Sequence, residues 1–327
     1  MTELHSGNSD RVPNLTPRVE FLDQFRGFTV SLMILVNILS GFTIVPAWLK
    51  HATAPGSVTV PDLVIPCFLF IMGVALDISF TRSRAAHGIG RTVWRFTRRS
   101  LLLVAFGVLG SILLKHNIAL EWGVLETLGM AGLVALPFMF LRPNMRPVVA
   151  VLLVALYELI SRLGLRPWLL ANDTGHIGGV PGGLAWAGIV IVGSVAGSLI
   201  RTGDRRGFRI YCTALGAVGI AGGLALSRWV PLYKPTVTPS YLLLVTGAAA
   251  LMLLLFSVLD LRFLPFKVFG VNALAIFMLH GIVLVTVMTR VPAASPLPGV
   301  GIVLAGVYGL CGLVAGIMYR FRILIRL

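Results

Sequence analysis

Apolar positions in this chain come in long runs rather than in alternation. Ten stretches, roughly 26–47, 60–80, 98–114, 123–141, 147–163, 183–200, 208–226, 240–259, 267–288 and 299–319, carry almost no charge. Each approaches the ~20 residues a helix needs to cross the hydrocarbon of a bilayer. Backbone groups in lipid must pair within their own segment, so these runs predict helices. The expected fold is all-α: a polytopic integral membrane bundle of about ten transmembrane helices.

Between the runs, Lys and Arg are distributed unevenly. Segments on the side of the N-terminus hold 20 of them, six in TRSRAAHGIGRTVWRFTRRS alone, and the opposite loops hold 7. Short cytoplasmic loops collect positive charge, so both termini are expected in the cytoplasm. Segment 1–25 reads as a polar cytoplasmic tail without a secretory signal, and 26–327 as the membrane domain; a signal-anchor role for the first run is the alternative. The longest outer loop, LRPWLLANDTGHIGGVPGG, is rich in turn formers and either covers a site or merely connects two helices.

Composition agrees with the runs. Of 327 residues 57% are apolar and only 12% charged, about half the ~25% of soluble domains. Length by itself would suggest two soluble domains; this composition excludes them, along with a disordered chain or a disulfide scaffold. A net charge of +15 would suggest nucleic acid in a soluble protein. Here topology accounts for it, and no nucleic-acid partner is expected. Cys67, Cys212 and Cys311 all lie in apolar runs without a CxxC, so no disulfide framework and no metal site is expected. P-loop, HExxH, GxGxxG and internal repeats are absent from the sequence. The pairs Gly193/Gly197, Gly219/Gly223 and Gly312/Gly316 suggest close helix packing or, alternatively, a homodimer interface.

Polar groups inside spans are costly and therefore informative. The first span opens VEFLDQFRGFTVSLMILVNILSG. Asp23 and Arg26 are three apart and neighbours on a helix. Asn37, eleven residues beyond Arg26, returns to within about 20° of the same face after about 16 Å of rise. The stripe is either an interfacial ion pair with an asparagine bonding a neighbouring helix, or a functional face. Asp62 opens the second span, where capping alone would explain it. Asp77 and Ser79 are expected at interfacial water. Among six histidines, His5, His87, His116 and His176 read as solvated. His280, eight residues after Asn272 in an apolar span, is either hydrogen-bonded structurally or faces a site.

These residues also carry a resemblance. DQFRGFTVSLMILVN, then His51–Ala52, Gly56 and TVPDLVIPCFLFIMGVALDIS, with PFKVFGVNALAIFMLHG near the end, resemble the heparan-α-glucosaminide N-acetyltransferase family in order and spacing, as a short, bacterial-type member. The resemblance implies a bundle that takes acetyl-CoA from the cytosol. It delivers the acetyl group to an amine or hydroxyl of a sugar or glycan on the other side of what would be a bacterial inner membrane. Carried over, it makes His51 the catalytic histidine, Asn37 its polar partner and Asp62 the aspartate opening the second helix. His280 becomes the late histidine, and Asp23, Arg26 and Gly27 the opening motif. The family's aromatic and Asn-Gly after His-Ala are replaced here by HATAPGS, and Trp48 stands before the histidine instead.

Acyl transfer needs a base, a donor for the oxyanion and exclusion of water. His51 is the expected base and Asn37 the donor or orienter; an acetyl-histidine intermediate is the alternative. Arg26, Arg98 and Arg99, with Asp23 and Asn272, are expected at the CoA, because arginine pairs bidentately with phosphate. Trp48 and His280 are expected against the acceptor. Acetyl-CoA, the sugar acceptor and membrane lipid are the expected partners. A secondary transporter or flippase is the rival class.

Overall fold

The computed structural model describes residues 19–52, 54–115, 122–171, 177–259 and 261–323. Among them the chain is helical and contains no strand. Its helices are α1 (Glu20–Ser40), α2 (Val64–Lys115), α3 (Val124–Ala135), α4 (Arg146–Ile160), α5 (Arg166–Ala171), α6 (Gly179–Arg201), α7 (Arg205–Leu226), α8 (Pro239–Leu259), α9 (Leu264–Val271), α10 (Ala273–Met288) and α11 (Leu297–Arg320). Seven helical stretches are long and apolar enough to cross a membrane: α1, Val60–Leu113, Pro143–Ala171, α6, α7, α8 and α11. The pair α9–α10, bent by 90°, makes an eighth if it is counted as one span. The chain is an integral membrane protein.

The predicted runs 60–80 and 98–114 are the two arms of α2. The 52-residue helix breaks at Gly88, whose φ of 76° and ψ of 176° are readily available only without a Cβ. The arms fold back on each other. The Phe80 and Phe96 rings meet in a tilted contact at 5.8 Å and the Ser83 and Thr92 hydroxyls are 3.0 Å apart. On a straight helix residues 80 and 96 would lie about 24 Å apart. Helix occupies the basic segment on both sides of Gly88, where a loop is expected from the sequence.

Run 267–288 is likewise not straight. Asn272 leaves helical geometry between α9 and α10. Below the break, α9 lies directly on α1: a Cβ at Gly27 would overlap the Phe266 carbonyl, and one at Gly270 the Asp23 carbonyl. A continuous helix could not keep that contact and also carry α10 upward. Two of the three small-residue pairs do mediate close packing, Gly193 and Gly197 against α2 and Gly219 and Gly223 against α8. A Cβ at Gly312 or Gly316 would meet nothing.

Helix α6 is the central element, buried from Gly182 to Ser198 apart from Leu184. A helix apolar on every side is what this position demands. Its C-terminal half is tied by an ion cluster in which Asp77 and Arg146 are buried and Arg201 reaches the surface. Arg146 Nη1 donates to Asp77 Oδ1 at 2.6 Å and Arg201 Nε to Asp77 Oδ2 at 3.0 Å. Arg146 also donates to Ser194 Oγ and to the Met139 carbonyl. Asp77 therefore does not face interfacial water, as its position in the sequence suggested; it is 1% exposed and locks α2, α4 and α6 together.

Candidate active site

Call the end of the bundle where α1 begins its lower end. At the upper end, α1 gives way to a turn, Ala47–Leu49, then an extended stretch carrying His51, then a 3₁₀ turn, Val60–Leu63, that leads into α2. Thr59 and Asp62 form a reciprocal cap there: Asp62 Oδ2 accepts from Thr59 N at 3.1 Å and from Thr59 Oγ1 at 2.9 Å. Ala52 N points to the same oxygen at 3.4 Å. The capping role read from the sequence is thus real, and it uses only one carboxylate oxygen. The other, Oδ1, lies 3.2 Å from His51 Nδ1 and accepts from Lys234 Nζ at 3.1 Å. Tyr241, fully buried, donates its hydroxyl to the Asp62 carbonyl.

Burial differs sharply within this cluster. Asp62 is 1% exposed, while the His51 side chain is 49% exposed. A buried carboxylate therefore grips one ring nitrogen of a histidine whose other face is open. Because Oδ1 can only accept, Nδ1 supplies the hydrogen, and Nε2 keeps a lone pair for an incoming proton. Trp48, three residues earlier, is exposed on the Ala47–Leu49 turn.

A second feature begins at the lower end. A cavity of about 380 Å³ lies between α1, the two arms of α2, α3 and the α9–α10 bend. Arg26, Arg95 and Arg99 line it together with Ser79 and Ser100. Its remaining walls are apolar and reach up to Phe68 and Phe277. From Ser79 to Phe68 the cavity follows α2 for about 16 Å, and Phe68 is about 9 Å of helix rise from Asp62. Cationic mouth and apolar shaft together suit a flexible chain that ends in phosphates.

One helical turn beyond Phe277, which lines this cavity, His280 meets Asn37. Asn37 Nδ2 lies 3.1 Å from His280 Nε2, and His280 Nδ1 lies 2.6 Å from the Phe277 carbonyl. The carbonyl takes the Nδ1 hydrogen, so Nε2 accepts from the amide. His280 is 3% exposed. The asparagine expected beside His51 is thus paired with the late histidine, 243 residues away.

The other expected site residues divide. Asp23 accepts from Arg26 at 3.3 Å, as their spacing predicts. Arg99 lines the cavity; Arg98, exposed on the same arm, does not. Asn272 turns its amide to the Ile323 carbonyl, while Gly270, Val271, Ala273 and Leu274 around it line the cavity. His87 is exposed; His5, His116 and His176 lie outside the described residues. Two participants had not been singled out: Arg95, whose place among the cytoplasmic arginines hid it, and Lys234, counted only as a loop charge. The signal for Lys234 was weak, a lone lysine in LYKPTVTPS between two long spans.

Comparison with known proteins bears on the same segment. A family profile described as heparan-alpha-glucosaminide N-acetyltransferase, catalytic, matches residues 18–230. The human heparan-alpha-glucosaminide N-acetyltransferase is 35% identical over 151 residues, covering 41% of this chain and 21% of that protein. The mouse protein of the same name is 36% identical over 144 residues, covering 38% and 20%. The matched part thus spans about a fifth of the length of these relatives. The profile match takes in Asp23, Arg26, Asn37, His51 and Asp62, and extends over more than half of the chain. The chain belongs to the heparan-alpha-glucosaminide N-acetyltransferase family.

Proposed function

We propose that this protein is a membrane acetyltransferase that takes the acetyl group of acetyl-CoA through the bundle to a sugar amine or hydroxyl, with His51 as general base. The observation that carries this reading is the Asp62–His51 pair, a half-exposed imidazole oriented by a buried carboxylate above an arginine-mouthed shaft. The name of the human and mouse relatives specifies a glucosaminide, so an amino sugar is the first acceptor to try.

The chemistry follows from the groups available. Arg26, Arg95 and Arg99 hold the phosphates at the mouth, and the apolar shaft keeps water from the thioester. His51 Nε2 removes a proton as the acceptor nitrogen or oxygen attacks the acetyl carbon. Asn37 gives one amide hydrogen to His280 and keeps the second for the carbonyl oxygen as charge develops on it. The C–S bond breaks as the new C–N or C–O bond forms. The departing thiolate takes its proton from the imidazolium, whose Nδ1 hydrogen Asp62 holds throughout.

Purified protein incubated with radiolabelled acetyl-CoA and a panel of amino sugars and glycans tests the reading. Acetylated sugar is the expected product. Label retained on His51 in the absence of acceptor would change the mechanism to a covalent relay, and uptake of solute into vesicles without acetylation would replace the enzyme by a transporter. The 20-to-7 division of Lys and Arg supports a mouth in the cytoplasm and His51 on the opposite side. Cysteines introduced at positions 51 and 91 should therefore label from opposite sides of the membrane; labelling from one side sinks this orientation.

A further inference from the structure

Lys234 belongs to the loop between α7 and α8, past the end of the family match at residue 230. It is 8% exposed, and its Nζ lies 3.1 Å from Asp62 Oδ1 and 3.2 Å from His51 Nδ1. Burying an ammonium is unfavourable unless it is paired. Capping does not need it, because Asp62 Oδ2 already serves Thr59 and Ala52.

The loop is built to hold this lysine. Val237 N donates to the Lys234 carbonyl at 2.9 Å, which Val237 reaches with a φ of 49°. A β-branched residue in that region is strained, so the surroundings must impose it. They do. Thr238 Oγ1 accepts from Tyr233 N and donates to the Pro231 carbonyl. Tyr157 donates its hydroxyl to the Thr236 carbonyl. Gly56 N donates to the Leu232 carbonyl, tying the loop to the segment that carries His51.

We propose that Lys234 is a positioning residue of the transfer site: its ammonium neutralises Asp62 and keeps His51 as the neutral imidazole with hydrogen on Nδ1 and Nε2 open. The inference rests on reading His51 as the base. An ammonium can only donate, and Oδ1 can only accept, so both Lys234 and His51 Nδ1 direct hydrogens to that one oxygen. A second proton on the ring would set two cations 3.2 Å apart. Without the lysine, the buried carboxylate would recruit that proton as its counter-charge, and Nε2 would no longer be a base. Burial draws Lys234 below the usual lysine range while Asp62 opposes the fall, so each charge of the pair sustains the other. Among the described residues, Asp62 and Lys234 are the ionisable groups in contact with His51. Lys50, next to it in sequence, turns its ammonium to the Thr43 carbonyl, and Tyr241 faces the Asp62 backbone.

The test is the pH dependence of His51 carbethoxylation by diethyl pyrocarbonate, a reaction of neutral imidazole, read peptide by peptide in detergent-solubilised protein. Exposed His87 is the internal reference. In Lys234→Met the His51 midpoint should rise by about one pH unit, while Lys234→Arg, which keeps the charge, stays with wild type and His87 does not move. Transfer by Lys234→Met should fall up to about tenfold at pH below the wild-type midpoint, a few-fold near neutrality, and recover at alkaline pH, since a one-unit rise in midpoint removes at most about nine-tenths of the base. If Lys234→Met does not fold, Lys234→Gln, which can still donate to Oδ1 without charge, should show the same rise. An unmoved midpoint in a folded neutral variant, or Lys234→Arg moving as far as Lys234→Met, overturns the proposal. An unmoved midpoint with transfer lost in His51→Ala sinks the lysine's role and leaves the base in place. A raised midpoint with transfer intact in His51→Ala keeps the control of His51 and sinks the base.

Discussion

His51 and His280 are the two histidines that the sequence placed near the site, yet their surroundings are opposite. His51 sits outside the helices, half exposed, between a carboxylate and an ammonium. His280 sits inside α10, 3% exposed, between a backbone carbonyl and a neutral amide. Every ring nitrogen of His280 is engaged by a neutral group. Among the described residues only Nδ1 of His51 is engaged, and by groups that carry charge. A base needs an open lone pair and a partner that stabilises the proton it gains. His51 meets both conditions. His280 is suited to hold Asn37 in one orientation.

The sharpest way to break this contrast is to remove each imidazole. His51→Ala should lower transfer by about 10²–10⁴ and abolish the rise of activity with pH that comes from imidazole losing its proton. Acetyl-CoA binding, followed by titration, should be unchanged. If His280→Ala is the dead variant instead, the two roles are exchanged.

Next in size is the mouth. Arg26→Lys, Arg95→Ala and Arg99→Ala should each weaken acetyl-CoA binding by roughly tenfold, the scale of one charge-assisted hydrogen bond. Arg98→Ala should leave the affinity where it was, because Arg98 is off the cavity wall. Equal effects at Arg98 and Arg99 would mean that the phosphates are held by the general positive charge of the arm rather than in this cavity.

The smallest effect belongs to His280→Gln. Glutamine can still accept from Asn37, so turnover should stay within about threefold of wild type. The thermal midpoint should drop by a few degrees, consistent with a cost of about 1 kcal/mol for one poorly remade buried hydrogen bond. A loss of turnover as large as that of His51→Ala would give the Asn37–His280 pair a direct part in the chemistry.

The buried Asp77–Arg146–Arg201 cluster shows why charge in a span does not by itself mark a site. Its Asp77 is as deeply buried as Asp62, but both arginines donate to that carboxylate and Arg146 also to the α6 backbone. Removing one partner would leave uncompensated buried charge, which makes the cluster a fastening for three helices.

The order of apolar runs determined that this chain is a helical membrane protein, because the spans are set by local composition and the bilayer's thickness. Local spacing also determined the Asp23–Arg26 pair and the cap at Asp62, since three residues suffice to bring those groups together. Tertiary structure decided the rest. Asn37 meets His280 across 243 residues, and Lys234 meets His51 across 183. Periodicity says which face of a helix is polar but not which helix lies against it. The fold-back between runs 60–80 and 98–114 was legible from the basic segment between them, but its helical form up to Gly88 and the bend at Asn272 were not, because an apolar run reads the same whether the helix continues, breaks or turns. Those two breaks and the contact of Gly27 with α9 bring the arginines of one arm to the mouth of the shaft. Which arginines face it depends on how far each helix rotates when its small residues meet a neighbour's backbone, a choice made by close packing between segments far apart in the chain.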